Sequence, residues 1–327
     1  MRLLFVGDVM LGRLVNEALR SESSEYPWGD TLPLFLRADV RLCNLECVLS
    51  DRGTPWVATT KAFHFRSDAR NIAVLRAARI DAVSLANNHT LDYGAEALAD
   101  TLALLDAAGI QHAGAGRTRD EAAQPAITAS PEGAIGLLSF TDNEPEWEAT
   151  LDGPGTLYAP VNLRDARIRR LLESVSETRK NVDFLVVAAH WGPNWGYVPM
   201  PEHILLGHAL IDAGADVVFG HSSHVYRGIE IYRGRPILYS VGNFIDDYAV
   251  DPVERNDQSC VFTLVTHQRQ PRSLRMYPTV IEGCQARLAF GDTAAASGRK
   301  LRQLCAGLGT AATWNAAERS VDITLRP

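Results

Sequence analysis

The sequence lacks the features that mark several classes of protein. Its 327 residues include only five cysteines, an odd number without tight clustering, which argues against a disulfide framework. No stretch approaches the roughly 18 apolar residues that a membrane span requires. The first apolar run, from Leu3 to Val6, is too short for the core of a signal peptide. We therefore expect a cytoplasmic protein without a membrane span.

A surplus of positive charge is also lacking. The 32 Lys and Arg residues are outnumbered by 39 Asp and Glu residues, which gives a formal net charge of -7. Proteins that bind nucleic acid usually carry a basic surplus, so we expect no nucleic-acid partner. Without an internal repeat or a convincing linker, the chain predicts a single domain over residues 1–327. Its motif-bearing core covers about 2–247 and a β-rich remainder about 248–327, while the oligomeric state is left open.

Short apolar runs alternate with segments of helical periodicity. The predicted buried strands cover residues 2–8, 40–46, 81–87, 134–140, 183–190 and 216–221, and the predicted helices cover 95–109, 163–180 and 202–214. After residue 225 the pattern predicts a hairpin around 233–234, strands at 259–267 and 275–283, a helix near 293–306 and a last strand at 321–326. This alternation is typical of an α/β fold in which helices cover the faces of sheets.

Polar side chains follow most of the predicted strands at the point where each strand ends. These residues are Asp8, Glu46, Asn88, His89, His190 and His221, with His224 three residues later. Ligands of α/β sheets bind beyond the carboxyl ends of the strands. Carboxylate, amide and imidazole groups together suit divalent ions such as Mn, Fe or Zn. The pattern therefore predicts a metal site.

Each of these residues also has an ordinary structural explanation. Asp8 could cap the following helix, and Asn88 could close a turn through its side chain. Glu46 could be an ion-paired strand end, and a lone histidine such as His190 is more often structural than ligating. Six candidate ligands at one sheet edge, with His89 not counted, would require six separate coincidences, which favours the metal site.

Six motifs carry a resemblance to a known family. They are "GDVMLGR", "NLE", "SLANNHTLDYG", "AHWG", "DAGADVVFGHSSHV" and "ILYSVGNF", and they occur in this order between about residue 2 and residue 247. Together they resemble the CapA family, named for capsule and poly-γ-glutamate synthesis, which is similar to the calcineurin-like metallophosphoesterases. The resemblance implies a metallophosphoesterase-like α/β/β/α sandwich with antiparallel C-terminal strands.

The resemblance also implies a role for each matching residue. Asp8 and His224 would bind a first divalent metal, Asn88, His190 and His221 would bind a second, and Glu46 would bridge the two. His89 would stabilise charge or protonate a leaving group, and Asp92 would orient it. Phosphoesterases of this type usually have a histidine where this chain has Met10, whose thioether is a poor ligand for Mn or Zn. One or two metal ions therefore remain as alternatives.

Other residues are candidates for contacting a substrate. Arg13 could bind a carboxylate or phosphate with its planar fork, although a surface arginine on a helix is an equal alternative. Lys61 could add positive charge. Trp191 and Trp195 lie in a segment broken by Gly and Pro that could wall an active site, although core packing is the default for a single tryptophan. Asn243 follows a strand and could support a ligand.

Two classes of function follow from these residues. The first is a metal-dependent hydrolase that acts on a small anionic molecule or a polymer end, at a phosphoester or at an amide such as a γ-glutamyl bond. The second is a non-catalytic or assisting component of poly-γ-glutamate capsule synthesis. We expect an assisting component to carry a membrane anchor and to tolerate the loss of His89. The sequence therefore favours the hydrolase.

Overall fold

The computed structural model describes residues 1–325, which form strands joined by helices and loops. Strands β1 to β20 span Arg2–Val9, Val40–Leu45, Val48–Leu49, Arg66–Ser67, Ala82–Ser84, Gln111–Ala113, Ala115–Gly116, Ala126–Ser130, Gly133–Thr141, Gly155–Thr156, Phe184–His190, Val217–His221, Ile229–Tyr232, Arg235–Leu238, Asn243–Ile245, Gln258–His267, Gln270–Glu282, Gln285–Leu288, Thr313–Asn315 and Ser320–Thr324. Helices α1 to α8 span Arg13–Ala18, Leu32–Leu36, Ile72–Ala77, Gly94–Ala108, Arg119–Ala122, Ala166–Arg179, Pro201–Asp212 and Gly291–Gly307. Short 3₁₀ helices lie at Tyr26–Thr31, Ala69–Asn71 and Pro145–Trp147.

Most strands belong to two large sheets. The first has the order β19-β20-β17-β16-β1-β2-β5-β6, with β15 also beside β1 and β18 beside β17. Its strands β1, β2, β5 and β6 are parallel, whereas β16, β17, β19 and β20 are antiparallel. The second has the order β13-β14-β12-β11-β9-β8, with four parallel strands between antiparallel edges. Both sheets therefore have a parallel centre whose carboxyl ends can carry a site.

The two sheets pack face to face, and helices cover their outer faces. Phe5 of β1 and Phe219 of β12 meet in the layer between the sheets, with ring centroids 5.3 Å apart. Helices α1 to α4 pack on the outer face of the first sheet, and α6 and α7 pack on the outer face of the second. The predicted α/β/β/α sandwich is confirmed.

The segment that carries Asn88 leaves its strand earlier than predicted. Strand β5 ends at Ser84, although the apolar run suggested a strand over residues 81–87. The backbone N–H of Asn87 donates to the Leu85 carbonyl at 3.0 Å, and the Thr90 hydroxyl donates to the same carbonyl. These bonds form a tight turn that delivers the following residues to the sheet edge.

The C-terminal third follows the predicted order of elements. Strands β13 and β14 form the expected hairpin, and Arg233 and Gly234 at its tip both have positive φ, as a two-residue hairpin turn requires. Helix α8 and the antiparallel strands β16, β17 and β20 are present. Arg326, the last residue of the final predicted strand, lies outside the described residues. The single domain over residues 1–327 stays a prediction. Among the described helices, none combines the length and the apolar character needed to cross a membrane.

Candidate functional site

Three of the predicted metal ligands meet between the two sheets. Asp8 lies near the end of β1, while His190 and His221 are the last residues of the neighbouring strands β11 and β12 and face each other in register. One ligand atom from each of the three residues lies within 4.8 Å of the other two. All three side chains are buried. Residues far apart in the chain thus form one compact group of metal-ligating atoms.

The surroundings of the two histidines of this group favour the neutral imidazole form. Their Nδ1 atoms face each other at 2.8 Å, a separation at which only one of them can carry a proton. Burial lowers the pKa of His221 to about 3. Burial and the nearby His221 lower the pKa of His190 well below its ordinary value. Neutral imidazole is the form that binds metal, so this environment favours ligation.

Glu46 is tied to the same group through an asparagine that the sequence analysis missed. The Asn44 side-chain amide donates to Asp8 Oδ1 at 2.8 Å and to Glu46 Oε2 at 3.0 Å. Burial raises the pKa of both carboxyl groups, and Asp8 raises that of Glu46 further. Asn44 stands two residues before Glu46, and the two-residue period of a strand was the signal that could have found it.

Asn88 and His89 reach the site from the turn after β5. Asn87 supports this turn, because its side-chain amide donates to the Leu45 carbonyl at 2.9 Å and its side-chain oxygen accepts the His89 N–H at 3.0 Å. Asn88 lies at the wall of the cavity described below. Asn88 and His89 thus both line the cavity, and their roles as ligand and proton-transfer group stay predictions.

His89 and Asp92 form a buried pair. The His89 Nδ1–H donates to Asp92 Oδ2 at 2.6 Å, and the Phe65 ring stacks on the imidazole with centroids 4.0 Å apart. The other ring nitrogen, Nε2, lies 3.9 Å from Glu46 Oε1. Burial and the charge of Lys61 lower the pKa of His89 well below its ordinary value. Burial raises the pKa of Asp92 to about 7, although Lys61 opposes this shift.

His224 approaches the group from the loop after β12. Its Nδ1 lies 3.0 Å from the side-chain oxygen of Asn243, a residue that pairs with Asp8 across β1 and β15. A positive charge on His224 would lower the pKa of Asp8, which places the two residues within electrostatic reach of each other. Asn243 therefore supports a predicted ligand, as its position after a strand suggested.

The chemistry of the donor atoms fits a divalent cation. In the part of the chain that the structure describes, Asp8 Oδ2, Asn88 Oδ1 and His221 Nε2 are buried without a hydrogen-bond partner. Such atoms are costly unless a ligand or ion satisfies them. The mixture of carboxylate, amide and imidazole suits Mn, Fe or Zn. Met10 adds no nitrogen or oxygen donor, and its Sδ accepts the Gly12 N–H at 3.0 Å.

A cavity of about 680 Å³ opens beside these residues. Its wall includes the predicted ligands Asn88 and His224 and the imidazole of His89. The cavity therefore adjoins the group of metal-ligating residues on the side of these three side chains. The volume lies within the range of about 300–1,000 Å³ that is common for small-molecule sites. A small substrate could therefore reach His89.

Three of the four predicted substrate-contacting residues also line this cavity. Arg13 lies 3.3 Å from Asp247 and above the Phe63 ring, with its side chain 38% exposed. Trp195 is 43% exposed. Lys61 lines the cavity too, but its side chain is only 6% exposed. Arg13 and Trp195 remain candidates for contacting substrate, whereas Lys61 is occupied by protein groups.

Trp191 is a correction to the predicted set. It is fully buried, and its indole N–H donates to the Tyr239 carbonyl at 3.0 Å. Its ring packs against Phe140 in the core beneath α6 and α7. Because successive residues of a strand point to opposite faces, the residue after His190 faces away from the layer between the sheets. Trp191 is therefore a core residue.

Replacing the two tryptophans should have very different effects on stability. Trp191→Ala should lower the free energy of unfolding by about 3–5 kcal/mol, the usual cost of emptying such a site in a core. Trp195→Ala should change it by no more than about 0.5 kcal/mol, because the side chain is largely at the surface. Urea denaturation of both variants checks this contrast, and equal effects would contradict the assignment.

A comparison with protein families shows the family to which this chain is related. Residues 2–248 match the sequence model of the family described as "Bacterial capsule synthesis protein PGA_cap". The chain belongs to the PGA_cap family. The resemblance to CapA proteins that the six motifs indicated is confirmed, and it covers the region in which the motifs lie.

Named members related to this PGA_cap protein come from several bacteria. A protein of Mycobacterium tuberculosis described as a "probable polyglutamine synthesis accessory protein" is 39% identical over 234 residues, 68% of this chain and 60% of that protein. The "PGA biosynthesis protein CapA" of Bacillus subtilis is 30% identical over 245 residues, 74% of this chain and 62% of that protein. The PGA_cap chain thus spans about 60% of the length of these relatives.

A solved structure supports the fold of this PGA_cap protein. A hypothetical protein from Thermus thermophilus superposes with a TM-score of 0.50 at 19% sequence identity. The superposition covers 85% of this chain and 98% of that one. At this identity the likeness concerns the architecture alone.

Proposed function

We propose that this PGA_cap protein is a metal-dependent hydrolase that acts on a small anionic substrate or a polymer end. The observation that carries the proposal is the convergence of Asp8, His190 and His221 beside the His89–Asp92 pair. Metal ligands and a polar imidazole at the wall of one cavity are the components that water activation and proton transfer require.

The metal would be held by side chains of both sheets. Asp8, His190 and His221 would form its compact core, and Glu46, Asn88 and His224 would complete the ligand set. When bound, one or two divalent cations bring the pKa of a bound water from 15.7 towards ~7 and stabilise negative charge on the attacked group. Asn44 would keep Asp8 and Glu46 in place by donating to both carboxylates.

His89 would transfer a proton to or from the reacting group. Because its Nδ1–H is donated to Asp92, its Nε2 carries the free lone pair and can accept a proton. Asp92 would stabilise the imidazolium that forms, and the proton could then pass to a leaving group. Phe65 stacks on the ring and limits its rotation.

The cavity favours an anionic substrate without choosing the bond that is cleaved. Arg13 brings a partly exposed guanidinium to the wall, and its planar fork matches either a carboxylate or a phosphate. The proposal therefore covers two reactions, hydrolysis of a phosphoester and hydrolysis of an amide such as a γ-glutamyl bond. Both develop negative charge on an oxygen that a cation can stabilise.

An assisting role in polyglutamate synthesis is the second candidate. It is favoured by the descriptions of the relatives, one of which is named an accessory protein and another a PGA biosynthesis protein. In that case the site would bind a cation and a polymer end without turnover. The His89–Asp92 pair favours the hydrolase, because binding alone does not require an oriented imidazole.

A substrate screen with added metal tests the proposal. Metal-free protein would be supplied with Mn, Zn or Fe and assayed on p-nitrophenyl phosphoesters, γ-glutamyl p-nitroanilide and simple amides. We expect metal-dependent turnover of at least one class and its loss on chelation. Tight metal binding without turnover in either class would instead support the assisting role.

A further inference from the structure

The Lys61 ammonium lies among acceptor groups of the protein. It contacts Asp92 Oδ1 at 3.4 Å and Glu144 Oε1 at 3.2 Å, and it donates to the backbone carbonyl of Asn88. With 6% of its side chain exposed, it has little surface left for an external anion. A lysine that binds substrate would instead leave its ammonium group exposed to the cavity.

Burying this cation requires compensation from its neighbours. A buried charge is costly unless it is paired and hydrogen-bonded, and fixing a lysine side chain also costs up to about 2 kcal/mol of conformational entropy. Two carboxylates, a carbonyl and the Trp147 ring 4.9 Å away provide that compensation for Lys61. Four protein groups therefore stabilise the charge of this one ammonium group.

The groups that Lys61 contacts stand on both sides of His89 in the sequence. Asn88 precedes the imidazole and Asp92 is its hydrogen-bond partner. Phe65, from the same segment as Lys61, donates its backbone N–H to Asp92 Oδ2 at 2.6 Å. One carboxylate oxygen thus accepts a hydrogen bond from Phe65, and the other faces the Lys61 ammonium as an ion pair, so the two contacts favour one orientation of the carboxylate.

We propose that Lys61 is a positioning residue that sets Asn88 and Asp92 at the same time. By holding the Asn88 carbonyl it directs the Asn88 side chain towards the metal ligands. By holding Asp92 it keeps the His89 Nδ1–H in its hydrogen bond and leaves Nε2 towards the cavity. This role replaces the direct substrate contact expected from the sequence. Only the contribution of this positioning to turnover rests on the proposed function, because the positioning itself is measurable without substrate.

Nitrogen-15 NMR of the histidine rings in zinc-loaded protein tests this proposal, with His89 assigned by the loss of its signals in His89→Gln. In the wild type we expect a single His89 tautomer protonated at Nδ1. In Lys61→Met we expect mixed tautomers and a zinc affinity about 10- to 100-fold lower, the usual effect of losing a partner of a metal ligand. Lys61→Arg should restore both properties, because it returns the charge and the donors.

Lys180→Met is the matched control, because it removes an exposed lysine paired with Glu177. It should leave the His89 signals and the zinc affinity unchanged. A single Nδ1–H tautomer together with wild-type zinc affinity in Lys61→Met would overturn the proposal. Should Lys61→Met not fold, the pair Lys61→Gln and Lys61→Arg makes the same comparison. If the substrate screen finds no turnover while Lys61→Met shows both changes, the positioning role stands and the hydrolase proposal falls.

Discussion

Replacing His89 with glutamine is expected to remove most turnover and to leave metal binding intact. The imidazole lines the cavity and bonds to Asp92, whereas the proposed ligand group is formed by Asp8, His190 and His221. Loss of a positioned proton-transfer group typically costs about 10²- to 10⁴-fold in rate. We expect kcat to fall by this factor on whichever substrate class the screen identifies. Steady-state kinetics and metal analysis of the same preparation measure the two effects.

His267→Gln provides the control for this variant, because His267 is exposed at the end of β16. Its kcat and metal content should equal those of the wild type. If His89→Gln kept full activity on every substrate found, the role of His89 in proton transfer would be refuted. If it lost its metal as well as its activity, His89 would have to be counted among the ligands.

Gly7→Ala is expected to destabilise the fold strongly. A Cβ atom at Gly7 would lie 1.7 Å from the carbonyl oxygen of Gly242, which accepts the Asp8 N–H at 3.1 Å. Since the clash is with backbone, it can be relieved only by separating β1 from β15, which would move Asp8 and Asn243. We expect the free energy of unfolding to fall by at least about 3 kcal/mol, the upper part of the range for overpacked sites. Urea denaturation measures this change.

Gly307→Ala is the matched glycine variant. Gly307 is the last residue of α8, and a Cβ there would have no heavy atom within 4 Å in the described part of the chain. Alanine in a helix is favoured over glycine by about 0.5–1 kcal/mol, so this variant should be as stable as the wild type or slightly more stable. Equal unfolding free energies for the two alanine variants would contradict the packing described at Gly7.

The large features of the fold were predictable because they depend on local patterns. Strand β11 is buried along its whole length, and its continuous apolar run "FLVVAAH" indicates a strand covered on both faces. The early end of β5 was not predictable from hydrophobicity, because it depends on the bonds that the Asn87 side-chain amide makes to Asn44 and Leu45. An apolar run reports burial, whereas the point at which the backbone turns depends on hydrogen-bond partners.

The site was predictable where polar residues follow apolar strands. His190 and His221 stand at such ends, and parallel pairing then makes them neighbours. The contacts of Lys61 were not predictable, since they require a loop to be held over His89 by long-range bonds such as that from the Trp56 N–H to the Asp92 carbonyl. The burial of Trp191 was predictable too, because the two-residue period of a strand turns the residue after His190 to the opposite face.

Calorimetric titration of metal-free protein with Mn or Zn tests the central claim most directly. The wild type should bind one or two equivalents, and His190→Ala and His221→Ala, with folding checked by circular dichroism, should lose the tight binding. His267→Ala should bind as the wild type does. Folded His190→Ala and His221→Ala proteins that bind metal with unchanged affinity and stoichiometry would contradict a cation held between the two sheets.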